Sequence, residues 1–280
     1  VRNTLAIAWR ELRTYFSSPL AYVVIGVFVF VSGLFFWISL AQFSDLCLRY
    51  GNNPYVFNQL NVNDLVIRPL FGTIGVVFLL MLPAVSMRLL AEERRAGTAE
   101  LLFTCPVTTP QIVLGKYLGA AFLLMVMLAI TLVYPLLILT KVRPDMAPAL
   151  VGYLGVLLMG LTILSIGLFV SSLTDNQIVA AVGAFGANLL LWIVGWAAAA
   201  TQSLTLGGLL NSVTLGLWEK VGLGTGGPTL GDLFNRLSIT GHFQDFRKGL
   251  IDTEHMVFFL TAIIFALFLT QRVLESRRWR

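Results

Sequence analysis

The chain has 280 residues, of which 57% are hydrophobic and 12% charged, and its mean hydropathy is +0.84. Water-soluble domains carry roughly a quarter charged residues, so lipid is the solvent for most of this sequence. The net charge of +5 resides on loop lysines and arginines of the kind that set membrane topology, and no nucleic-acid motif accompanies it.

Ahead of the first apolar window, Leu5, Trp9, Leu12 and Phe16 recur at helical spacing while Arg10 and Arg13 turn to another face. This pattern predicts an interfacial helix over residues 1–19, turning inward at Pro19. Arg10, Glu11 and Arg13 interrupt any signal-like run and no small-residue cleavage site follows, so the first span is expected to stay in the mature chain. A bilayer core about 30 Å thick needs roughly 20 apolar helical residues. Windows at about 20–41, 69–90, 114–140, 149–173, 178–200 and 256–274 qualify. The expected fold class is therefore an all-α polytopic membrane protein, with residues 1–280 forming a single transmembrane domain.

Six spans put both termini on one side. Arg2, Arg10, Arg13, Arg88, Arg94, Arg95, Lys116 and the tail ESRRWR fall there, and the positive-inside rule makes that side cytoplasmic. The only two cysteines, Cys47 and Cys105, then sit on opposite faces and form neither an intrachain disulfide nor a metal site. Residues 91–113 become a cytoplasmic loop and 201–255 a long external one. In the latter, Leu233, Phe234, Leu237, Phe243, Phe246 and Leu250 give an amphipathic pattern after the glycine-rich break GLGTGGP.

The windows hold no ionisable group away from their edges, which disfavours an ion-driven carrier. Small residues recur at helix-packing spacing in Gly115/Gly119, Gly167/Ser171, Ala180/Ala184 and Gly183/Ala187. Pro83 and Pro135 should kink their spans. Pro83 and Asn188, the most polar interior side chain, are candidates for a translocation path, with an interhelical hydrogen bond as the plainer role for Asn188. No phosphate-binding GxxxxGK[ST] loop exists, so if ATP drives this protein another chain binds it. Glu92-Glu93 shares the first positions of the EExxxR protease signature, but Gly97 stands where its arginine belongs. No HExxH or GxSxG occurs, and catalysis by this chain is not expected.

The densest charge lies in AEERRAGTAELLFTCP, residues 91–106. Gly97 suits a helix-ending left-handed residue, Thr98 an N-cap, and Glu100 the positive end of a new short helix. Pro106 and Pro110 then stop it. Leu101, Leu102 and Phe103 form an apolar tip that lipid or a protein groove must cover.

The stretch EERRAGTAELLFTCPVTTPQIVLGKYLG resembles the loop between the second and third spans of ABC-2-type transporter permeases, through Glu93, Arg94, Gly97, Thr98, Glu100, Leu102, Pro106, Gly115 and Lys116. The opening TLAIAWRELRTYFSSPLAYV and the closing FQDFRKGLIDTEHMVFFLTAIIFALFLTQRVLESRRW resemble the gliding-motility-associated permeases most closely and the nitrous-oxide-reductase maturation permease next. The resemblance implies a type V exporter-like fold with a cytoplasmic coupling helix, in a bacterial cytoplasmic membrane. It further implies two ABC ATPase subunits that carry the ATP and magnesium, none being bound by this chain. A second permease copy or a sister permease would complete the assembly, and an external accessory protein is a further expected partner. Coupling would rest on Glu92, Glu93, Arg94, Gly97, Thr98, Glu100, Leu101, Leu102, Phe103, Pro106 and Lys116. The alternative is an ATPase-coupled platform that acts mechanically on external proteins without moving a solute.

Overall fold

The computed structural model describes residues 2–51, 60–95, 97, 107–139, 145–200 and 230–278, and among them every regular element is helical. The helices are α1 (Arg2–Ser17), α2 (Pro19–Tyr50), α3 (Arg68–Arg95), α4 (Thr109–Thr131), α5 (Val133–Leu139), α6 (Met146–Leu173), α7 (Gln177–Ala200), α8 (Leu230–Leu237), α9 (Ile239–Arg247) and α10 (Thr253–Arg278). A π-helical stretch, Asn63–Ile67, leads into α3. Six segments are long and apolar enough to cross a membrane: Ala21–Tyr50, Asn63–Glu92, Thr109–Leu139, Met146–Leu173, Gln177–Ala198 and Thr253–Ser276. Each coincides with one of the six windows expected from the sequence.

The ends of the spans differ from expectation where polar residues continue a helix. The first runs to Tyr50 rather than 41, its last turns supported by an Asp45–Arg49 ion pair of 2.9 Å at i,i+4. The second starts at Asn63 rather than 69, because Asn63 is buried and its side-chain amide donates to the Asp145 carbonyl at 3.1 Å. Apolar windows do not register such ties.

Helix α6 is the centre of the bundle: 67% of its apolar window is buried, against 17% for α7. Its glycines explain how neighbours reach it. Gly152 faces the Phe71 ring of α3, Gly155 faces Phe246 of α9, and Gly167 faces Ser86 of α3, so that a Cβ at any of these would overlap the facing side chain. Since lipid tails are as apolar as leucine, close packing of this kind is what holds spans together.

Pro135 breaks the third span into α4 and α5. Proline has no N–H to offer the carbonyl four residues earlier. That carbonyl, of Thr131, instead accepts from the Tyr153 hydroxyl of α6 at 2.8 Å.

On the opposite face from the termini, α8 and α9 pack against α7 and α6. Phe243 and Phe246 are buried there, but Leu237 and Leu250 are exposed, so the single amphipathic run expected from the sequence is two short helices. Ser238 divides them, its hydroxyl accepting from the Gly241 N–H at 2.9 Å. Gly249, at φ +82°, ends the second. Leu233 has its side chain outside the described residues.

Replacing Gly155 by Leu should lower the thermal unfolding midpoint of the detergent-solubilised chain, at a cost of about 1–3 kcal/mol for overpacking. The control Gly26→Ala, where no atom lies within 4 Å of a new Cβ, should leave the midpoint unchanged or slightly raised.

Candidate functional site

The charged loop joins α3 to α4. Arg88 and Glu92 pair across the last turns of α3 through two hydrogen bonds of 2.6 and 2.9 Å. Glu93 and Arg94 follow on the same helix, their side chains outside the described residues. Gly97 has φ +69°, the left-handed conformation that ends helices at little cost only for glycine. Thr98, Glu100, Leu101, Leu102, Phe103 and Pro106 lie outside the described residues, as does Cys105. The chain resumes at Val107. Thr108, extended at φ −80° and ψ 150°, caps α4, and its N–H donates to Gln111 Oε1 at 3.3 Å.

Helix α1 clamps the two helices that flank this loop. Its backbone lies against Gly115 and Gly119 of α4: a Cβ at 115 would sit 2.8 Å from the Ile7 Cβ, and one at 119 would sit 2.7 Å from the Glu11 Cβ. The close approach expected of this glycine pair is therefore made to the N-terminal helix of the same chain. Between the glycines, Lys116 is buried at 1% exposure and its Nζ lies 2.8 Å from Glu11 Oε1. Lys116 thus faces α1. From the same helix, the Tyr15 hydroxyl donates to the Val85 carbonyl of α3 at 3.3 Å. Burial pushes the Tyr15 phenol well above its ordinary range, with the Glu11 charge adding to the effect, so it stays a neutral donor. Leu5 and Trp9 remain exposed on α1, as an interfacial helix requires.

Helix α6 ties the same end from another side. Ser171 Oγ accepts from the N–H groups of Leu90 and Ala91 at 3.3 and 3.1 Å and donates to the Met87 carbonyl at 3.1 Å.

Pro83 is buried inside α3. Asn188 is also buried, its amide donating to the Ala184 carbonyl of its own helix at 2.8 Å and reaching the Ile163 carbonyl of α6 at 3.5 Å. Its Oδ1 is buried without a hydrogen-bond partner. The structure brings Pro83 and Asn188 into the helix packing, and neither lines the cleft between α3, α7 and α9 at the far end of the bundle.

Glu11 and Tyr15 carry the clamp, and sequence reasoning missed both. The readable signal was Lys116 itself: a lysine between Gly115 and Tyr117 at the rim of a span must find an anion, and Glu11 is the only acid in the leader.

At the far end a polar chain joins α9 to α10. His242 Nε2 faces the Arg236 carbonyl at 3.2 Å, its Nδ1 meets His255 Nδ1 at 2.7 Å, and His255 Nε2 meets Asp245 Oδ2 at 2.9 Å. Asp245 Oδ1 takes Lys248 Nζ at 2.7 Å, and this bond first, with His255 second, holds its carboxyl below the usual range. Burial pushes His242 down, and the ring stacks on Phe258 at 4.0 Å.

Lys116→Met removes the buried cation from the largely buried Glu11 carboxylate, beside which the exposed Arg10 remains (12% and 53% exposed), and should cost on the order of 3 kcal/mol. The double variant Glu11→Gln/Lys116→Met should recover most of that loss in thermal unfolding. For His242 the folded pKa is depressed, so the folded chain takes up a proton less readily than the unfolded one. The stability it contributes is present above the ordinary histidine value of about 6.5 and is lost as pH falls below it. The ionisable groups around it are His255, Asp245 and Glu254. Hydrogen exchange over 239–247, corrected for intrinsic rate, should quicken from pH about 7.5 to 5, and less so in His242→Phe.

A family model described as "ABC-2 family transporter protein" matches residues 48–206. Among curated proteins, the probable multidrug ABC transporter permease YbhR of Escherichia coli K12 is 29% identical over 142 residues, which is 51% of this chain and 36% of that relative. Its counterpart in strain O157:H7 matches to the same extent. The chain thus aligns with about a third of the length of these relatives, whereas the family match covers more than half of the chain and takes in α3, the charged loop, α4 and α6. The chain belongs to the ABC-2 family of transporter proteins, as a multi-pass membrane subunit.

Proposed function

We propose that this chain is the permease of an ATP-driven exporter in a bacterial cytoplasmic membrane, with both termini cytoplasmic. Membership of the family implies an ABC ATPase partner. In the proposed assembly two ATPase subunits, carrying the ATP and magnesium, dock on residues 97–106. A second permease, either a copy of this chain or a sister, completes it. Closure of the ATPases pushes on the loop and tilts the second and third spans against the rest of the bundle.

The observation that carries this reading is the α1 clamp. Tyr15 holds α3 and Glu11 holds α4 through Lys116, so the two helices that enter and leave the loop are joined at the point where a push arrives. A force on 97–106 is then delivered to both spans together rather than absorbed by bending one. Leu101, Leu102 and Phe103 supply the apolar tip such a docking groove would bury, and Glu100 supplies a charge for its rim.

The test is purification of the full chain co-expressed with its chromosomal neighbours, followed by an ATPase assay. A nucleotide-binding partner should co-purify with the wild type. Glu100→Arg/Leu102→Asp should abolish that association, or the stimulation of ATP hydrolysis, while the chain remains inserted. A double variant that couples as well as the wild type would overturn the docking site.

A further inference from the structure

At the end of the bundle away from the charged loop, a cleft of about 560 Å³ opens between the start of α3, the end of α7 and α8–α9. Gly72, Trp192, Trp196, Asn235, Thr240 and Arg247 are among the residues around it. The arginine is the unusual member. Its guanidinium lies flat on Gly72, where a Cβ would stand 3.2 Å from Nη2 and 3.3 Å from Cζ. Nε and Nη2 donate to the Arg68 carbonyl at 3.3 and 3.1 Å. Among the described residues, Nη1 and one Nη2 hydrogen have no further partner.

No carboxylate among the described residues pairs with Arg247. Arg68 is occupied by Asp64 at 2.8 Å and by the Lys248 carbonyl at 3.4 Å. Asp245, the acid on the rim of the cleft, is already held by Lys248 and His255. Burial and then the neighbouring Arg68 charge push Arg247 below the ordinary arginine value, so both environmental effects on it are unfavourable to its charge. A half-buried cation beside another cation, with donors left over and a cavity in front of it, is stabilised by an anion entering that cavity. The tryptophans indicate which anion. Trp196 is 72% exposed at the outer end of its span, and tryptophan at that position marks the headgroup level of a bilayer.

We infer that this cleft binds the anionic headgroup, phosphate or carboxylate, of a membrane amphiphile, with Arg247 as the anion ligand and the span-end tryptophans flanking the point where headgroup meets acyl chain. The site does not depend on the docking of an ATPase at the other end, so failure of one leaves the other standing.

Isothermal titration of the full chain in mixed micelles tests it, with phosphatidylglycerol, phosphatidylcholine and glycerol 3-phosphate as probes. Phosphatidylglycerol should bind saturably and at least about tenfold more tightly than phosphatidylcholine, and less tightly as salt rises. Arg247→Gln should lose about tenfold in affinity, in line with one charge-assisted contact. Arg247 also clasps α3, so a second variant guards against misfolding. Lys248→Gln, at a side chain 53% exposed, leaves Asp245 less compensated on the rim and should weaken phosphatidylglycerol several-fold while the thermal midpoint holds. Equal binding of both lipids, or unchanged phosphatidylglycerol affinity in both variants, would overturn the site. Glycerol 3-phosphate binding as tightly as the lipid would overturn the amphiphile while keeping the anion.

Discussion

Everything in this bundle depends on how closely its neighbours approach α6. In lipid there is no water to expel from between helices, so association rests on contact geometry and on polar groups that would otherwise go unsatisfied. Gly152, Gly155 and Gly167 remove the one atom that would hold Phe71, Phe246 and Ser86 off the axis. Once α3 and α9 are seated there, the polar ties at each end become possible. Ser171 can then reach the backbone of α3 only because Gly167, one turn earlier, has already drawn the helices together.

The two ends of the bundle use that rigidity differently. At the loop end, α1 lies across the glycines of α4 and reaches α3 through Tyr15, so three helices share one set of polar contacts. At the far end, two short helices and a reciprocal pair of arginine-to-carbonyl bonds fasten α9 to the start of α3. The first arrangement gathers the entry and exit of a loop into one unit. The second leaves a hollow lined by Arg247 and Lys248. Motion introduced at one end would reach the other along α3, which takes part in both.

The sequence made the six spans legible because each is a long apolar run with the length a bilayer demands, and no tertiary contact competes with that signal. Gly97 was legible too, since a glycine after a charged helix end has few other uses. Span ends were not, because Asn63 and Arg49 gain their stability from particular partners rather than from hydropathy. The role of Glu11 was hidden for a related reason: an acid between two arginines reads as a solvated face, and its partner lies far along the chain. Arg247 was equally opaque, since an arginine in a loop carries no sign that no carboxylate among the described residues pairs with it. The loop tip itself, 98–106, lies outside the described residues, and its assignment rests on pattern and family.

The seat of α1 also fixes an order of events during synthesis. The contact from Lys116 to Glu11 spans 105 positions of sequence, and Gly119 lies beyond it. At roughly 5–20 residues per second, the ribosome adds the seat roughly 5–20 s after it has added the helix that will occupy it. Until that seat is made, α1 has only its contacts with α2 and, once Val85 is added, the Tyr15 bond to α3, and the bilayer surface can take its apolar stripe. The amphipathic character of residues 1–19 thus serves as a waiting position on the bilayer surface as much as a final one.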